Sequence, residues 1–205
     1  MMQWTDENAK DVEMLKRADL SPLDIGPAEG NEQLAKQVQR HNKALSDLTG
    51  RFGKLAADRE EINRSDQWFD HDSKAVLAER RRVMVESWDV LVALRKLLQD
   101  RQNLLVQLQA HVVGRIADLE ELYDHAFNEV HRALTHKHRD YLKSEPVNGP
   151  AWIDAQAEND ERVVARRKQI SPLQDVLGKL RSLYHRASQN NALTFRQREV
   201  YEQLN

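Results

Sequence analysis

Cysteine is absent from the 205 residues. Disulfides, thiolate metal sites and cysteine nucleophiles are excluded together, and the composition suits a reducing compartment. Glycine (7) and proline (5) are scarce and aromatics make up 6%. With Leu, Ala, Glu, Gln, Lys and Arg abundant, that balance favours long helices. No run of alternating β-branched residues bounded by turn residues signals a strand. Net charge is also missing: 31 basic against 33 acidic residues, formally −2, set up no global field toward nucleic acid or anionic lipid. The least polar stretch, LLVQLQAHVVG (104–114), is too short and too polar to span a bilayer. The opening MMQWTDENAKDVEM lacks the apolar core of a signal peptide. The expectation is a soluble, cytoplasmic protein.

What is present is helical periodicity. Thr5 can cap a short helix near 6–18, which Ser21-Pro22 and Gly26-Pro27 then stop. From Asn31, a capping residue, the positions Leu34, Val38, His41, Leu45, Leu48, Phe52, Leu55, Arg59 and Ile62 alternate by four and three. That is a coiled-coil seam, and it keeps its phase through Gly50 and Gly53. After the turn SDQWFDHD (65–72), with Asp70 or Asp72 as cap, Leu77, Met84, Leu91, Leu98, Leu105, Val112, Leu119, Ala126 and Ala133 recur every seven residues. The spacing predicts one helix from about 72 to 143, ~108 Å long at ~1.5 Å per residue. The loop SEPVNGP (144–150) ends it. A third helix runs through Val163, Ile170, Leu177 and Tyr184; at Ser171-Pro172 it either kinks or restarts with Ser171 as cap. QNNALT (189–194) is expected to break it, and Thr194-x-x-Gln197 forms a capping box for a last short helix.

The expected organisation is a short N-terminal helix and loop over 1–30, an elongated helical rod over 31–189 and a short C-terminal helix over 190–205. The rod's helices fall at about 32–65, 72–143 and 151–189. The fold class is all-α, an elongated antiparallel coiled-coil or helical bundle built on one ~70-residue central helix, the first and third helices laid end to end along it. A second column, Val76, Val83, Val90, Leu97 and Leu104, flanks the first on the central helix. A two-stranded seam leaves it short of cover, so it is a candidate partner surface. A homodimer or higher homo-oligomer covers it better than the short 6–18 helix does.

Half of the eight histidines fall in EELYDHAFNEVHRALTHKHRDYLK (120–143). At ~100° per residue His125 and His136 share one flank, while His131 and His138 share the other, so one metal cannot reach all four. His125 and Glu129, with His136 on the same flank, are metal candidates that need a third ligand from elsewhere. His125, His131, His136 and His138 are pH-sensing candidates, because Arg132, Lys137, Arg139 and Lys143 would make this end strongly cationic once they protonate. A solvated flank with i,i+4 Glu–His and His–Asp pairs is the plain alternative. His41 reads as a polar seam residue at the seam's edge. Trp68 and Phe69 at the first turn, and Trp152 after the second, are candidate partner anchors or plugs for the coil's ends. Trp88 reads as core. Arg80-Arg81-Arg82 and Arg166-Arg167-Lys168 read as solvated helix faces.

No phosphate-binding glycine loop, dinucleotide fingerprint, zinc-protease motif or nucleophile elbow occurs. WTDENAKDVEMLKRADLSPLDIG (4–26) resembles the opening of small helix-turn-helix modules, and ALTFRQREVYEQL (192–204) resembles the first helix of LuxR-type DNA-binding domains. Neither is followed by a recognition helix, and no DNA-binding function is carried over. The helix order also resembles that of the ESCRT-III and phage-shock membrane-remodelling proteins. That likeness implies polymerisation on lipid, for which residues 6–18 make a poor membrane face. The sequence therefore points to a non-catalytic structural or adaptor protein, a spacer or assembly subunit acting through protein partners, without a cofactor. A membrane-surface remodeller and a helical-bundle metal-binding protein are the alternatives; neither nucleic acid nor membrane is favoured as a partner.

Overall fold

The structure is a computed structural model that describes residues 20–65 and 74–203, with side chains up to residue 189 except those of 63 and 65. Among the described residues it is all-α, without strands. The helices are α1 (Glu32–Ser65), α2 (Lys74–Lys137), α3 (Arg139–Ser144), α4 (Gly149–Glu158) and α5 (Glu161–Gln203), preceded by a 3₁₀ turn at Gly26–Ala28. Two compact units divide the chain: the first holds residues 1–107 with 183–205, the second 108–182. The predicted 6–18 helix, Trp4, the 65–72 turn with its caps, and Trp68 and Phe69 lie outside the described residues.

In the first unit, Gly30 turns the chain at φ 83°, a conformation that favours glycine. Asn31 then caps α1, its Oδ1 accepting from the Leu34 amide at 3.0 Å. Every seam position of α1 is buried or half-buried. Leu45 and Leu55 form a core with Val83, Val90 and Leu94 of α2, and Leu20, Leu48, Phe52, Ile62 and Leu97 pack around it. Each large aliphatic buried in this way contributes about 1.5–3 kcal/mol. Asp58, late in α1, reaches Arg82, early in α2, at 3.5 Å. His41, early in α1, feels the charges of Asp100 and Arg101. The two helices are therefore antiparallel in this unit. The preceding segment is tied to both. Asn42 exchanges two 2.8 Å hydrogen bonds with the Leu23 backbone, and Arg101 donates from Nη1 to the Ser21 carbonyl at 2.7 Å.

The column expected to lack cover is covered within the chain. Val83, Val90 and Leu104 are buried, and Val76 and Leu97 are half-buried. The neighbouring column instead starts exposed at Leu77, sinks to full burial at Leu105 and Val112, and emerges at Ala133. The cause is the mismatch between 3.6 residues per turn and a seven-residue repeat. Each repeat rotates a column by ~20°, so a strict heptad walks into the core and out again. Trp88 is a second correction. It lies roughly 140–160° around the helix from Val83 and Val90 and is 56% exposed.

In the second unit, α2 supplies Leu108, Val112, Ile116 and Val130 to the buried set, α4 supplies Ile153 and Ala157, and α5 supplies Val163, Ile170, Leu177 and Leu180. Gln109 Nε2 donates to the Leu180 carbonyl at 3.4 Å and His131 meets Asp154 at 3.2 Å, so chain direction reverses here too. Two predicted continuities and one predicted break change. The central helix is interrupted at His138 (φ −107°, ψ 28°), after which α3 adds its last turns. The third helix is broken at Asn159-Asp160. Asn159 Nδ2 donates to the Ala155 carbonyl at 2.7 Å, closing α4, and Asp160 Oδ1 accepts from the Arg162 amide at 2.9 Å, opening α5. The expected break at QNNALT is absent, since α5 runs on to Gln203. Asn and Gln cost a helix only a few tenths of a kcal/mol each, and no Gly or Pro is there to stop it. The segment resembling a LuxR-type first helix is thus the tail of α5. Pro172 lies inside α5. Its side is exposed, so water can serve the carbonyl that its missing N–H leaves unbonded.

Candidate functional site

The first unit presents an apolar stripe on the side of α2 turned away from α1. Leu77, Val85, Trp88, Val92 and Val106 are all 44–56% exposed. Val85, Trp88 and Val92 follow the 3-4 spacing of a seam, and Val85, Val92 and Val106 belong to one seven-residue column with Gln99 between them. The periodicity was present in the sequence. Each valine of the outward column stands two residues from a member of the Val83 column, so spacing alone does not say which of the two is core.

Charges flank the stripe in order. Asp89 precedes Val92 by one turn, and Arg95 and Lys96 follow it by one; all three are exposed. Arg82 is committed elsewhere. It donates to Glu79 at 2.6 Å and to Glu86 at 3.0 Å, and it reaches Asp58 across the helix pair. The hydrogen bond from Arg82 holds the Glu79 carboxyl below its ordinary range, and Glu79 and Glu86 raise the guanidinium further. The Arg80–Arg82 triplet is therefore partly a neutralised ladder.

A buried polar pair sits in the same unit. His41 is 7% and Arg101 2% exposed, so His41 lies in the seam, not at its edge. Burial lowers the His41 pKa from its ordinary 6.5, the Arg101 charge lowers it further, and Asp100 opposes both. His41 Nε2 has no hydrogen-bond partner among the described residues.

The histidine-rich end belongs to the second unit, and its two flanks behave differently. His131 pairs with Asp154 and stacks on Phe127 at 5.8 Å. His138 meets the edge of Trp152 at 5.0 Å. His125, Glu129 and His136 point outward and are exposed. Among the described residues, no group of three or more His, Cys, Asp or Glu is placed to hold a metal ion, so the third ligand that His125 and Glu129 need is not found there. Trp152 is held by His138 and, at 5.3 Å, by Tyr141. It is 37% exposed, so part of it stays open to solvent. A shallow cleft of about 560 Å³ runs along His131, Arg132, Thr135, His136, Arg139, Leu142 and Lys143, with no carboxylate in its lining.

Fold and surface together define a class: an all-α chain whose central helix buries one face and exposes an apolar stripe on another. No helix among the described residues is long and apolar enough to cross a membrane. Comparison with protein-family models, curated proteins and solved structures gives no match, so the class is as far as likeness goes.

Proposed function

We propose that this chain is a non-catalytic adaptor or assembly subunit, working in the cytoplasm through protein–protein contacts made by the outward stripe of α2. The observation that carries the reading is Trp88, 56% exposed between Val85 and Val92. Isolated exposed apolar residues are ordinary, but a tryptophan flanked by two valines at seam spacing is what a second helix fills. Tryptophan is also enriched among the residues that dominate binding energy. The cysteine-free composition supports the cytoplasmic setting.

The test places a photo-cross-linking residue at position 88 of the full chain, in extract of the native source, with position 120 as an exposed polar control. Expected is a discrete protein adduct from position 88 and none from position 120. Equal labelling from both positions, or none from position 88, overturns the reading.

A further inference from the structure

Resting on that reading of the α2 stripe, we infer that its occupant is a second copy of this chain, docked antiparallel with the two-fold axis at Val92. The occupant is a helix because the exposed apolar positions follow helical seam spacing, 85-88-92, and the stripe is only about two side chains wide. The same helix on another chain offers the matching surface. An isologous contact requires a patch that complements itself, and the charges here do so in one orientation only. With the axis at Val92, residues before it stand level with those equally far after it, and those on the same flank meet. At ~100° per residue Asp89 and Lys96 lie on one flank of Val92 and Trp88 and Arg95 on the other, so Asp89 of each chain faces Lys96 of the other, and Trp88 faces Arg95, whose guanidinium can lie over the indole ring. Val85 opposes Gln99, and Arg81 opposes Asn103. Each opposition occurs twice, and none sets like charges together. A parallel, in-register pair does the reverse in the seam, where Arg95 meets Arg95. All of these residues are exposed and lie in the first unit. The contact therefore needs no rearrangement of the core formed by Val83, Val90 and Leu94.

The chain's lack of cysteine makes the geometry directly readable. The full-length protein is weighed by sedimentation equilibrium over a wide concentration range, and single-cysteine variants are oxidised mildly. A mass approaching two chains is expected, falling to one in Trp88→Glu while helicity and thermal midpoint stay unchanged. Val92→Cys should cross-link to itself. Val85→Cys and Gln99→Cys should link to each other when mixed, and much less when each is alone. Self-linking of Val85→Cys as strong as that of Val92→Cys means a parallel pair and overturns the orientation. A monomer at every concentration overturns the inference outright. The position-88 cross-linker then separates the two claims. A monomer that captures a different polypeptide leaves the protein-binding reading standing. A monomer whose position 88 links only to residues 1–19 of its own chain removes both.

Discussion

Two valine columns run along the start of α2, two residues apart and each repeating by sevens. Val83 and Val90 are 2% and 1% exposed, whereas Val85 and Val92 are 49% and 48% exposed. Two residues of helix are roughly 200° of rotation, so neighbours in sequence stand on opposite faces. Periodicity reveals that a helix has faces; it does not say which face the rest of the chain covers. Here α1 lies over the first column, and nothing described lies over the second. The same residue type at the same spacing is core in one column and available surface in the other.

The sharpest way to break that comparison is to truncate one residue of each face. Leu94 is 1% exposed and central to the core that α1 and α2 share. Leu94→Ala should cost about 2–5 kcal/mol of unfolding free energy, the range for a buried leucine that leaves a cavity. Val92→Ala, two residues away, should stay within about 0.5 kcal/mol when measured on the monomer at low concentration. Urea denaturation of both variants reads the difference. Equal losses would mean that the stripe is covered in solution and that the contrast between faces is false.

The second comparison is between histidines. The histidine-rich end holds four imidazoles and the α1 seam only His41, yet His41 is the one in an unfavourable electrostatic setting. It is buried beside Arg101, and its pKa is lowered. Above about pH 6.5 the imidazole is neutral folded and unfolded and contributes no pH dependence. As pH falls below that value, the unfolded chain takes the proton first while the folded chain resists it. Stability is therefore lost from about pH 6.5 downward until the folded group itself protonates. His41→Leu removes both this titration and the unbonded Nε2. The variant should match or exceed the parent protein at pH 7.5, with the gap widening toward pH 5. Parallel stability curves for the two proteins would sink this account.

Much of the architecture could be read from residue spacing, and the misses have identifiable causes. The α1 seam from Leu34 to Ile62 is legible because four-three alternation on one amphipathic helix facing one neighbour leaves little choice. The burial of α2 is not legible in the same way. Its column of sevens drifts ~20° per repeat relative to the core, so Leu77 and Ala133 leave the core while Leu105 and Val112 occupy it. The break at Asn159-Asp160 depends on two capping bonds that compete with an otherwise good helical pattern. The outward stripe was written in the sequence at Val85, Trp88 and Val92, but a tryptophan beside a seam looks like core until the neighbouring helix is placed.

The smallest effects belong to the histidine-rich end, where they test whether number of histidines matters at all. His131 is held by Asp154 at 3.2 Å, with both side chains more than a third exposed. An ion pair in that setting contributes at most about 1 kcal/mol and is screened by salt. His131→Gln should therefore destabilise the second unit slightly. Adding 1 M salt should narrow the difference. His136→Gln, on the exposed flank and with no carboxylate in the cleft beside it, should leave stability unchanged. If His136→Gln proved the costlier of the two, the split into one packed and one solvated flank would be wrong, and the cationic cleft would hold more structure than its open lining indicates.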